Sequence, residues 1–273
     1  MIKHYLKVAF RNLIKYKTQS LVSIIGLAVG FTCFALSVLW IRYEMTYDNF
    51  HEGADRIYLV RAHYANEPGT SKFTPYPLMK YLQDKMPEIE AVTAFTAHYV
   101  KFRMEDTEQE IGMIAADSVF MNFFDIQLLK GTVNFLKCDG QEVAITKEFA
   151  KRLFSKEEDA LGKEVEVGRR VCKIGAIVSG WSNHSNIPYN ILAPARHSPQ
   201  WGSSNEQLLI RVRERTDIDA FRTKMSTVCI NDIEKESELS DLLITRMSAL
   251  RYSDYVDKAD VVISFSYIFY FSL

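Results

Sequence analysis

No aspartate or glutamate precedes Glu44, and between Leu21 and Ile41 there is no charge of either sign. The uncharged run of 21 residues excludes a solvated helix. At 1.5 Å per residue it reaches roughly 30 Å, about one hydrocarbon core. Catalytic motifs are missing as well. No G-x-x-x-x-G-K-[ST] occurs, and Leu161-Gly162-Lys163-Glu164 lacks both the glycine loop and the hydroxyl, so the chain cannot itself be an ATPase. His51-Glu52 begins like a zinc-protease helix, but Asp55 stands where the second histidine is required. There is no G-x-S-x-G elbow. Carboxylate pairs such as Glu157-Glu158 and Glu234/Glu236 lie in charge-rich stretches that read as solvated faces. The four cysteines and six histidines show no metal-ligand spacing. The expectation is a protein that is not an enzyme and has no cofactor or metal. A net charge of −1 leaves no electrostatic footprint for nucleic acid.

What is present is a basic stretch followed by the apolar run. Lys3, Lys7, Arg11, Lys15 and Lys17 all precede Leu21, whereas Glu44, Asp48, Glu52 and Asp55 follow Ile41. An excess of Lys and Arg marks the cytoplasmic side of a span, so the N-terminus is expected inside and the bulk of the chain exported. A cleaved signal peptide would have a shorter apolar core and a small-x-small site. Here the run ends in Val38-Leu39-Trp40-Ile41-Arg42-Tyr43, with bulky residues at that place. The run therefore reads as an uncleaved anchor.

Ahead of it, Ile2, Tyr5, Leu6, Ala9, Phe10, Leu13 and Ile14 recur at helical spacing, and Lys3, Lys7, Arg11 and Lys15 fall on another face. This is the pattern of a helix lying in the bilayer interface, its cations toward anionic lipid or an acidic partner; fixing topology alone would also account for it. Within the span, Gly26 and Gly30 form a G-x-x-x-G that would admit a close helix backbone, although glycine is common in such helices. Cys33 is a small hydrophobe of the span, and Cys138, Cys172 and Cys229 would face an oxidising compartment. Three is an odd number: one disulfide would leave a spare thiol, and buried unpaired cysteines are the simpler reading.

The exported part alternates strand and helix signals. Strands are expected at Arg56–Tyr64, Ala91–Met104, Glu110–Ala116, Glu142–Ile145, Glu206–Arg213 and Asp241–Met247, with a hairpin of Lys163–Val167 and Val171–Val178 about Gly168-Arg169-Arg170. Thr74-Pro75 offers a cap and first-turn proline for a helix through Leu78 and Leu82, while Asp117, Thr146 and Asp217 each open a further helix. Glu105–Gln109 reads as a turn, Gly131–Gly140 as a loop, and Trp181–Gly202 as a surface loop around a short apolar strand. The Asn183-His184-Ser185 sequon carries little weight. The fold class is α+β: an interfacial helix (1–18), a membrane helix (19–42), and an extracytoplasmic α+β domain of two lobes (43–256). Residues 257–273 include the apolar stretch VVISFSYIFYFSL, which reads as the opening of a second, incomplete membrane helix in a truncated chain or a fragment.

The segment Tyr43-Glu44-Met45-Thr46-Tyr47-Asp48-Asn49-Phe50-His51-Glu52-Gly53-Ala54-Asp55-Arg56-Ile57-Tyr58 is distinctive. With Tyr5–Leu13, Ile25–Gly30, Met86–Val92, Ala116–Asp125, Glu142–Thr146, Ala150–Phe154 and Leu161–Lys163 it closely resembles the permease subunits of MacB/FtsX-type ABC transporters, over essentially the first 195 residues. The signature positions are Tyr47, Asp48, Phe50, His51, Ala54, Asp55, Arg56, Ile57 and Tyr58. The resemblance implies a MacB-like periplasmic core domain in a bacterial inner membrane protein. It also implies a separate cytoplasmic ABC ATPase subunit as partner, pairing as a homodimer or with a second permease, and a mechanotransmission role in export or envelope-protein handling. A single-pass anchored periplasmic binding module with no ATPase is the alternative.

Overall fold

In the computed structural model, which describes residues 2–65, 69–105, 107–137, 141–154, 156–181, 184–233 and 238–252, the chain divides into two units between Thr46 and Tyr47. The first holds two helices, α1 (Ile2–Lys15) and α2 (Lys17–Met45), separated at Tyr16, which leaves helical geometry at φ −109°, ψ 55°. The 29 residues of α2 contain the whole uncharged run. Its apolar side chains are uncovered, with Leu27 and Phe31 77% and 70% exposed. In water that would forfeit the hydrophobic gain of every one of them; in hydrocarbon it forfeits nothing. At mid-run the Thr32 hydroxyl is satisfied within the helix, its Oγ1 donating to the Ala28 carbonyl at 2.8 Å.

The second unit is built on one long strand. In chain order its strands and helices are β1 (Ile57–Tyr64), α3 (Pro77–Lys85), β2 (Ile89–Met104), β3 (Thr107–Ala116), α4 (Ser118–Phe123), β4 (Leu128–Gly131), β5 (Glu142–Thr146), α5 (Lys147–Leu153), β6 (Glu164–Val167), β7 (Arg170–Val178), β8 (Ile191–Pro194), β9 (Gln207–Val212), α6 (Ile218–Ile233) and β10 (Leu239–Arg246). The first half of β2 pairs antiparallel with β9, and β1 lies between β9 and β10, giving the order β10-β1-β9-β2. With α3 and α6 as crossovers this is the split βαβ arrangement of ferredoxin-like lobes. Both helices cover one face, where Leu78, Leu82, Phe221 and Met225 pack against Val60, Val92, Ile210 and Leu242.

The second lobe is inserted between β2 and β9. The far half of β2 pairs with β3, β3 runs parallel to β8, β8 pairs with β5, β5 runs parallel to β7, β7 pairs with β6, and β6 returns to β2 through Phe102–Val167. Six strands thus close into a barrel. Alternate residues point inward, so Phe102, Ile111, Ile145, Val165, Ile174 and Ile191 fill the interior, and Phe149 of α5 joins them at one end. Between the lobes, Phe120 and Phe123 of α4 pack against Ile57, Leu59, Phe95 and Leu209 from the back of the first sheet. The two expected lobes are present, and β2 is common to both.

Three local expectations are corrected. The helix at α3 takes Pro77, not Pro75, in its first turn, and no side chain caps it. Thr74 is instead held in a bridge to Glu206, donating its backbone N–H at 2.7 Å, which keeps it extended. Strand β3 begins at Thr107, earlier than expected, because Met104 and Thr107 pair directly. The stretch 131–137 is not all loop: Gly131 ends β4, and Thr132 accepts from the Asn134 N–H to start a 3-10 turn that buries Phe135 completely. Residues 257–273, like Cys138, lie outside the described residues; so does the side chain of Cys229, while Cys172 is buried.

Candidate functional site

The signature segment leaves α2 in sequence and turns at Asp48, whose φ of 58° lies in the left-handed region that Asp and Asn tolerate better than other side chains. A 3-10 turn at Ala54–Arg56 then leads into β1. Asp48 is fully buried, and its carboxylate is the acceptor at the centre of a loop. It takes hydrogen bonds from the Ser185 hydroxyl, from the Asn186 backbone N–H at 3.1 Å and from Asn186 Nδ2 at 2.6 Å. Its own N–H donates to the His184 carbonyl at 3.2 Å. Burial pushes the Asp48 pKa up, while the hydrogen bonds from Ser185 and Asn186 pull against that rise. Beside it the Tyr47 ring lies 3.9 Å from the His184 ring.

The loop 184–190 is held in place by a close backbone approach. Asn190 donates to the Gly112 carbonyl at 2.8 Å, and a Cβ on Gly112 would sit 2.5 Å from the Pro188 carbonyl oxygen. Only glycine leaves room for that contact. Asn186 also donates through Nδ2 to the Met247 carbonyl at 3.2 Å. One asparagine therefore joins the segment that follows α2 to the 3-10 turn that follows β10. The arrangement is a latch at the two chain ends of the folded domain.

His51 sits against Phe124 and Trp181, with ring centroids 4.7 and 4.9 Å away. Burial, assisted by the positive charge of Arg211, lowers its pKa to about 4. Phe50 covers the imidazole at 4.3 Å and is itself 44% exposed. Ala54 is buried and Asp55 exposed. Arg56 pairs with Glu90 and donates to the Val212 carbonyl at 3.0 Å, tying the start of β1 to β2 and β9. Ile57 and Tyr58 are core residues, and Arg246 of β10 lies over the Tyr58 ring at 5.9 Å. Of the nine signature positions, Asp48 and Arg56 are bonded into the domain where the chain enters it and Ile57 and Tyr58 are buried in its core, whereas Asp55 is exposed. The Asp48 partners Ser185 and Asn186 were not anticipated, since a polar loop gives no sign of burial until its acceptor is known.

The remaining sequence candidates lie in the helical unit. Lys7, Arg11 and Lys15 are exposed on α1, and the side chain of Lys3 lies outside the described residues. Gly26 and Gly30 fall one turn apart on α2, and a Cβ added at either would meet no described atom within 4 Å. No group of three or more His, Cys, Asp or Glu among the described residues could hold a metal ion.

Several solved structures share the fold. A domain of a putative permease protein from Porphyromonas gingivalis aligns with a TM-score of 0.57 at 18% identity, covering 80% of this chain and 98% of that one. The extracellular domain of the noncanonic ABC-type transporter YknZ from Gram-positive bacteria gives 0.50 at 14% identity, covering 69% and 99%. The periplasmic region of MacB from Actinobacillus actinomycetemcomitans gives 0.50 at 12%, covering 75% and 95%. No curated protein matches the sequence. One helix long and apolar enough to cross a membrane, followed by a domain that matches the family model of a permease periplasmic core, defines the class: membrane-anchored, permease-type proteins with an extracytoplasmic domain. Residues 20–228 match the MacB-like periplasmic core domain, and the chain belongs to that family.

Proposed function

We propose that the protein is a permease subunit of an ABC-type mechanotransmission complex in a bacterial inner membrane, coupling a separate cytoplasmic ATPase to export or envelope-protein handling outside. The observation that carries this reading is the Asp48 latch. A domain moved by a helix must receive that motion through few, stiff contacts, and the chain emerging from α2 is fixed at once by a buried, multiply bonded carboxylate. In this reading residues 1–18 lie on the cytoplasmic face, 19–42 span the bilayer, and 43–256 work outside. Lys3, Lys7, Arg11 and Lys15 face the ATPase or anionic lipid, and Gly26 and Gly30 pack on a neighbouring helix in a homodimer or permease pair.

The test is affinity purification of the tagged full chain from its native membrane in a mild detergent. Recovery of a nucleotide-binding subunit supports the reading, and charge reversal at Lys3, Lys7, Arg11 and Lys15 should reduce that recovery while insertion persists. Recovery of envelope partners alone, with no ATPase, would replace it by an anchored binding module.

A further inference from the structure

The six-strand barrel is filled unevenly. At one end Phe149 of α5 meets Phe102 with ring centroids 5.1 Å apart, and Ala150 and Ala160 complete the closure. At the other end Val100, Met113, Ala115 and Ala193 are only half-buried and surround a cavity of about 400 Å³. That lies within the range of roughly 300–1,000 Å³ typical of small-molecule sites. Val143, Val167 and Cys172 form its floor. The rim is of another character. The tight turn of the β6–β7 hairpin brings Arg169 and Arg170 to it, and Arg196, just past β8, joins them, with no aspartate or glutamate among the described lining residues. Among the described residues neither Arg169 nor Arg170 makes an ion pair.

We infer that this barrel mouth binds a single-chain carboxylate amphiphile of the long-chain fatty acid class, with the alkyl part inside the barrel and the carboxylate on Arg169 and Arg170. Three features select that chemistry. The apolar wall rewards a hydrocarbon guest, each buried methylene tightening binding about fourfold. The Arg169 and Arg170 guanidinium groups present a planar fork suited to a carboxylate, with no acidic side chain among the described lining residues. The strands that form the wall already spend their backbone groups in the β2–β3, β3–β8, β5–β8 and β6–β7 ladders. A peptide guest would bury amides with no partner, which an alkyl chain avoids. The inference concerns the barrel alone and stands whether or not an ATPase drives the protein.

The experiment uses the full chain in membrane vesicles and a palmitate analogue carrying a mid-chain diazirine. After irradiation, adducts are mapped by mass spectrometry. The expected result is labelling of peptides that contain Met113, Val143 or Ala193, displaced by excess palmitate. Arg169→Gln together with Arg170→Gln should cut this labelling about tenfold or more, the loss expected for charge-assisted hydrogen bonds. Ala193→Phe, which fills the mouth, should abolish it. Should that variant fail to fold, the arginine pair on the exposed turn still decides the question. The matching diazirine alcohol should label the barrel at least fivefold less than the acid. Labelling confined to α2, equal labelling by acid and alcohol, or full labelling of the double arginine variant would each overturn the inference.

Discussion

Replacing Asp48 with alanine removes the acceptor on which Ser185 Oγ, Asn186 N and Asn186 Nδ2 converge. Asn186 Nδ2 retains the Met247 carbonyl, and the Ser185 hydroxyl can rotate, but the Asn186 backbone N–H is left without its acceptor. An unsatisfied buried donor costs about 1–3 kcal/mol, and hydrogen bonds to a charged acceptor contribute about 1.5–3 kcal/mol. Alanine must also hold φ of 58°, at a further cost of about 1–2 kcal/mol. Relief of the buried charge offsets part of this, so the net loss should be about 3–5 kcal/mol. Asparagine tolerates the backbone and keeps one acceptor oxygen, so Asp48→Asn should lose about 1–2 kcal/mol at neutral pH.

The pH dependence has a definite sign. A carboxyl whose folded pKa is raised above its unfolded value contributes stability in full below the unfolded value of 3.8, and loses it as pH rises through the folded pKa. The gap between wild type and Asp48→Asn should therefore widen as pH falls from neutral toward that value. Urea unfolding of the fragment 43–256, followed by tryptophan fluorescence, measures both quantities. A loss below about 1 kcal/mol for Asp48→Ala, or a gap that narrows on acidification, would refute the latch as described.

Two further outcomes follow from the same region. His51 is held neutral by burial, so its contribution is present above pH 6.5 and is lost as pH falls from there toward about 4. At most about 3–4 kcal/mol is involved, and His51→Phe should remove roughly one proton from the slope of stability against pH in that window. Gly112→Ala should cost at least about 2 kcal/mol, because the new methyl meets the Pro188 carbonyl of a loop that the bond from Asn190 N–H to the Gly112 carbonyl holds against the strand. Hydrogen exchange should show the loop 184–190 opening first, and exchange there equal to wild type would contradict that account.

Much of the fold is local and was therefore legible. Asp117 accepts from Val119 N and Phe120 N, and Thr146 accepts from Phe149 N, as their positions before apolar helical repeats require. The β6–β7 hairpin declares itself through alternation about Gly168. Closure of the barrel does not. It depends on β6 reaching β2, where Arg103 pairs with Glu166 at 3.2 Å across 63 residues of sequence, and no periodicity encodes such a meeting. The same limit explains Pro77. Thr74-Pro75 and Tyr76-Pro77 look alike as helix starts, and the choice falls to the bridge between Thr74 and Glu206 far along the chain. The latch shows both sides of the limit. Asp48 stood out by resemblance, whereas Ser185 and Asn186 looked like exposed loop until the buried carboxylate supplied their reason to be inside.

The permease account rests on sidedness: α1 within the cell and the latched domain beyond the membrane. Single cysteines placed at the exposed positions 7 and 84, in a background free of Cys33, Cys138, Cys172 and Cys229, test it directly with a membrane-impermeant maleimide on intact spheroplasts. The account predicts that the cysteine at 84 reacts at once and the one at 7 only after lysis. The reverse pattern, or protection of both until lysis, would contradict it.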